Sequence, residues 1–184
     1  MKTYWNKPAF YLHFFMALAV TIQLLLSLVM EPPSHAGVTF FQLLTFSFHK
    51  WVGVFAFFVI VAHWGWSVWD KVSIASLSHL FPWNRAGCLA IKEDVGKILR
   101  GELPGVGERP GLPGFIQGLG FLLVTAMALT GILIFIQYTV YPLFGGSIYY
   151  AFKTHKFLST FVWIYWGAHV LMACVHGWRG RVVV

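Results

Sequence analysis

Long apolar stretches alternate with short polar ones along this chain. Four of them, about 10–30, 43–69, 115–138 and 148–178, run almost without charge. Each reaches the roughly 20 residues that a helix needs to cross a hydrocarbon core. Helices satisfy their own backbone polar groups where no water can. The pattern therefore predicts an all-α membrane protein, a four-transmembrane-helix bundle forming one integral-membrane domain over 1–184. Glu31-Pro32-Pro33 closes the first run, because proline cannot continue a helix. Trp64, Trp66 and Trp69 form an aromatic belt at the end of the second. The third run carries Gly118, Gly120, Gly131, Ala126 and Ala128, which allow close approach of a helix or cofactor, and Thr130, which can hydrogen-bond inside the bundle. An outer turn at Pro142, Gly145 and Gly146 leads into the fourth.

Between the second and third runs the chain turns to mixed charge with Gly and Pro. There AGCLAIKEDVGKILRG spaces its apolar residues helically with Lys and Arg between them. This predicts an amphipathic helix lying on the inner membrane surface, either as a docking or headgroup contact or as a solvated connector. GELPGVGERPGLPG reads as an irregular connector up to Gly114. No strand precedes its glycines, so they make no phosphate-binding fingerprint.

Composition supports the membrane reading. The 184 residues are 58% hydrophobic and only 10% charged, against about 25% charged in a soluble domain. The net charge of +7 is not a footprint of nucleic acid, because the cations flank the apolar runs. Lys2 and Lys7 precede the first run, and Arg179 and Arg181 follow the fourth. Lys71, Arg85, Lys92, Lys97, Arg100 and Arg109 lie between the second and third, leaving Lys50, Lys153 and Lys156 on the other side. By the positive-inside rule both termini and the long middle loop are cytoplasmic. The first run is too long for a signal peptide and lacks a small-residue cleavage site after it, so it is expected to stay. Cys88 and Cys174 are too few for a Cys₄ cluster, and no C-x-x-C-H is present for covalent haem attachment.

Histidines supply the chemistry. His49 and His63 in the second run, and His155 and His169 in the fourth, are each fourteen residues apart. That is nearly four helical turns, so each pair shares roughly one face with about 21 Å between its members. In the predicted orientation His49 and His155 lie toward the outer surface and His63 and His169 toward the inner. Ionisable side chains are expensive inside a bilayer and mark function there. Imidazoles at two depths on neighbouring helices suit axial ligation of two non-covalent haems, as two imidazoles saturate the iron for electron transfer. Small residues near the ligands, Ala17, Gly53, Ser159, Gly167 and Ala173, leave room for a porphyrin. A lone intramembrane histidine could equally bond to a neighbouring helix or line a proton path; the repeated spacing is what favours haem.

Five candidates compete for four positions. His49 with His155 forms the outer pair in every scheme. At the inner level His169 pairs with His13, near the start of the first run, or with His63. The second-run repeat and the two-helix plan of cytochrome b in respiratory bc complexes favour His63. His176, seven residues past His169, could contact a haem propionate or a quinone, or face water. His35 and His79 read as surface histidines.

The chain resembles the bacterial cytochrome b561 superfamily, which includes the membrane subunits of formate dehydrogenase, nickel–iron hydrogenase and thiosulfate reductase alongside free-standing cytochromes b561. The matching stretches are YLHFFMAL, HKWVG, LTGILIF and HKFLSTFVWIYWGAH, together with the loop containing VGKILRG. The resemblance implies His13 with His169 and His49 with His155 as haem ligands. The chain departs from the family at His13-Phe14, where a His-Trp is usual. It departs again at His63, where many members carry an arginine or an apolar residue. His63 then becomes a propionate partner or an alternative inner ligand.

The resulting expectation is a cytochrome b in a bacterial cytoplasmic (inner) membrane, with lipid around it. It carries electrons between a quinone and a redox protein partner or dehydrogenase subunits, without nucleic acid. One alternative is a free-standing cytochrome b561 that oxidises a small reductant such as superoxide and reduces quinone. Another is a haem-free transporter with histidine proton relays. Its spans lack Asp or Glu partners for the histidines, and the sequence shows no inverted repeat.

Overall fold

The computed structural model describes residues 5–33, 35–105, 109–139 and 145–178. Six helices occur among them: α1 (Lys7–Ser27), α2 (Phe40–Trp69), α3 (Leu77–Leu80), α4 (Arg85–Leu99), α5 (Leu112–Thr139) and α6 (Gly145–Trp178). No strand occurs among the described residues. Four segments are long and apolar enough to cross a membrane: Lys7–Ser27, Phe40–Trp69, Leu112–Thr139 and Ile148–Val175. The chain is an all-helical, multi-pass membrane protein of the four-helix-bundle class. Phe14, Leu25, Phe58, Leu133, Phe157 and Leu171 point outward from these spans and are exposed, as side chains facing lipid must be.

Local chemistry explains where the helices start and stop. Asn6 caps α1, its Oδ1 accepting the Ala9 N–H at 3.0 Å. The helix ends at Ser27, three residues short of the predicted limit. The Leu28 and Val29 N–H groups turn back to the Leu25 and Leu26 carbonyls, tightening the last turn ahead of the two prolines. At the start of α2 Thr39 and Gln42 form a reciprocal capping box. The Thr39 N–H donates to Gln42 Oε1 at 3.0 Å, and the Gln42 N–H donates to Thr39 Oγ1 at 3.3 Å. This starts α2 at Phe40 rather than at residue 43. Pro142 of the predicted outer turn lies outside the described residues, and Gly145 is already the first residue of α6.

The residues group into two compact units. One comprises Leu12–Ala62 with Leu123–Trp163, and the other Met1–Tyr11, His63–Leu122 and Ile164–Val184. The second holds the connector between α2 and α5, and two carboxylates organise it. Asp70 accepts from the Val72 and Ser73 N–H groups at 3.0 and 3.2 Å, from the Ser73 hydroxyl, and from Asn6 Nδ2 at 2.9 Å. Burial alone would raise its pKa, but these bonds outweigh it and hold the carboxyl below its usual value. Asp94, buried on α4, accepts from Arg109 Nη2 and from the Leu112 N–H, each at 2.9 Å. It thereby caps α5, which begins at Leu112, inside the stretch read as irregular connector. The predicted amphipathic helix is α4, capped by Asn84 Oδ1 accepting the Gly87 N–H at 2.7 Å.

Histidines outside the spans split into two cases. His35 is exposed and bonded to Glu31 at 2.7 Å, as a surface residue. His79, read as a surface residue, is in fact only 8% exposed. Gly114 at the start of α5 has no Cβ, and one built there would sit 2.7 Å from the His79 ring. That missing atom lets the turn of α3 lie directly on α5. Burial holds the His79 imidazole below its usual pKa.

Two predictions follow from this connector. Asp94→Ala strands the Leu112 N–H and leaves Arg109 only its ion pair with Glu93, costing about 1–3 kcal/mol; limited proteolysis should then cut the connector before α5 faster than in wild type, and equal rates would contradict the role. For His79 the unfolded state takes up a proton first as pH falls. Its contribution is complete above about pH 6.5 and declines below that. Protease sensitivity around α3 should rise on acidification, and His79→Gln should flatten that dependence.

Candidate functional site

In the unit containing Leu12–Ala62, α2 presents His49 to His155 of α6. The two rings lie 6.4 Å apart between centroids with their planes at 86°. A metal–imidazole bond is about 2 Å, and a ring nitrogen lies about 1.1 Å from its centroid, so two imidazoles sharing one ion stand roughly 6.2 Å apart. The observed separation matches that distance. His155 Nδ1 lies 2.9 Å from Thr130 Oγ1 on α5. His49 Nδ1 is buried and has no hydrogen-bond partner.

Neighbouring residues shape this pair. Gln23 Nε2 on α1 donates to the His49 carbonyl at 2.9 Å. A Cβ at Gly53 would fall 2.6 Å from that nitrogen. Gly53, expected to make room for a porphyrin, makes room for Gln23 instead. A Cβ at Gly131 would stand 3.2 Å from His155 Cε1, so the glycine sets how closely the ring approaches α5. Gln23 went unnoticed in the sequence, where its only signal was an amide within an apolar run. His13 is half-buried in the same unit.

The other unit holds His63 and His169. His63 is 4% exposed, with its ring 4.8 Å from that of Phe121 and its Nδ1 3.3 Å from Ser67 Oγ. Phe121 also stacks on Trp64 at 4.5 Å. His169 is half-buried, and Tyr165, one turn earlier, stacks on it at 5.6 Å. The Tyr165 ring occupies the space that a Cβ at Gly120 would need. Trp66 Nε1 is buried without a hydrogen-bond partner. His176 belongs to α6, but its side chain lies outside the described residues.

No cluster of three or more His, Cys, Asp or Glu able to hold a metal ion occurs among the described residues. A pair of half-buried imidazoles instead suits an ion that arrives with its own equatorial donors, as iron does in a porphyrin. Fold and donor set thus describe a membrane helical bundle built to carry a metalloporphyrin. The family model for prokaryotic cytochrome b561 matches residues 4–184, and the chain belongs to that family. Membership brings b-type haem binding and transmembrane electron transfer. Comparison with curated proteins and with solved structures finds no match.

Gly131→Ala should lower the haem-to-protein ratio of the purified protein, since its methyl crowds the His155 ring. Gly65→Ala, which meets nothing within 4 Å, should leave the ratio unchanged. Equal ratios in all three proteins would contradict the packing role of Gly131.

Proposed function

We propose that this chain binds two non-covalent b-type haems and carries electrons between a membrane quinone and a redox partner. It would do so as the cytochrome b subunit of a respiratory oxidoreductase in a bacterial inner membrane. His49 and His155 hold the outer haem, and His13 and His169 the inner one. The reading is carried by one observation, the half-buried His49–His155 pair at a separation suited to a shared iron. Bound haem supplies the one-electron chemistry, while the chain's residues hold and insulate it.

At the inner level His63 already engages Ser67 and packs on Phe121. That contact uses one ring nitrogen only, so His63 stays the alternative inner ligand or propionate partner, and the family pattern is what favours His13 as the ligand. His176 remains the candidate propionate or quinone contact beyond His169. The cations flanking the spans support cytoplasmic termini and a cytoplasmic middle loop.

Substitution at the inner level tests the assignment. In a reduced-minus-oxidised spectrum with haem quantified per protein, His13→Ala should lose one haem and His63→Ala should keep two. The opposite result would move the ligand to His63. Adding a short-chain quinone to the reduced protein should oxidise it; a haem signal that stays reduced would contradict the quinone role.

A further inference from the structure

We propose that Thr130 is a positioning residue for the outer haem: it fixes His155 in the tautomer protonated at Nδ1 and strengthens Nε2 as the axial ligand. This rests on reading His49 and His155 as that haem's ligands. Thr130 Oγ1 lies 2.9 Å from His155 Nδ1, 2.9 Å from the Met127 carbonyl and 3.1 Å from the Ala126 carbonyl. A hydroxyl carries a single proton, and carbonyls only accept. The α5 backbone takes that proton, so toward His155 the oxygen acts as acceptor. Nδ1 must then carry the hydrogen, and the ring's free lone pair sits on Nε2.

The contact joins two helices rather than neighbours within one. Gly131, beside Thr130, keeps the approach open, since a Cβ there would crowd His155 Cε1. No hydroxyl plays this part at His49: its Nδ1 has no hydrogen-bond partner, and the Gln23 side-chain amide goes to its backbone carbonyl. The two ligands are therefore inequivalent. An acceptor on the far nitrogen raises the basicity of a metal-bound imidazole, which favours oxidised iron.

Thr130→Val keeps the shape and removes the acceptor, while Thr130→Ser keeps the acceptor and removes a methyl. Haem content, the midpoint potentials of both haems and the low-spin paramagnetic resonance signal are read in each. In the valine variant both haems should remain. The outer one should become easier to reduce by about tenfold in its oxidised-to-reduced ratio, about 59 mV for one electron. The inner potential should not move, and serine should restore the wild-type value. Unchanged potentials in a valine variant that retains both haems would overturn the proposal. If valine loses the outer haem, serine decides: retention at the wild-type potential supports the role, and loss or a shifted potential overturns it. A His155→Ala protein that keeps both haems would instead remove the axial-pair reading itself.

Discussion

An imidazole placed in hydrocarbon has two nitrogens to satisfy and no water with which to do it, and leaving a buried polar group unsatisfied costs on the order of 1–3 kcal/mol. The histidines of this chain meet that demand in different ways. His63 leans on Ser67 one turn along its own helix and fills its surroundings with Phe121. His155 bonds across to Thr130, which accounts for one nitrogen and leaves the other for a ligand bond. His49 meets no partner at Nδ1, although a second imidazole stands opposite it. A bare ion would find too few donors there; a porphyrin-bound iron brings the rest.

The connector between α2 and α5 solves the same problem at the membrane edge with carboxylates. Asp70 gathers the N–H groups after α2 and ties them to Asn6, and Asp94 joins α4 to the first turn of α5. Glycines do the remaining work, with Gly114 and Gly118 letting the backbone around α3 lie directly on α5.

Much of this was legible in the sequence. Four spans follow from length and apolarity, and the amphipathic pattern of 86–101 emerged as the helix Arg85–Leu99. That His49 and His155 come together was legible as well, because ionisable groups stand out against an apolar background. Partners were not. The fourteen-residue repeat suggests equivalent surroundings for His49 and His63, yet fourteen residues fall about 40° short of four turns. The structure gives His49 an imidazole neighbour and His63 a phenyl ring. Thr130 was legible as a hydrogen-bonding residue inside the bundle but not as the partner of His155; that pairing, Gln23 and the burial of His79 depend on contacts between helices, which periodicity does not encode. The Thr39–Gln42 capping box was readable in principle, as a Thr and a Gln three residues apart ahead of an apolar run.

Haem counting on a His49→Ala variant tests the central claim most directly. The protein would be purified beside wild type and its protoporphyrin measured per chain. The account requires wild type to hold two haems and the variant one, with the surviving haem keeping its wild-type potential. An unchanged count in the variant would contradict a haem held between His49 and His155.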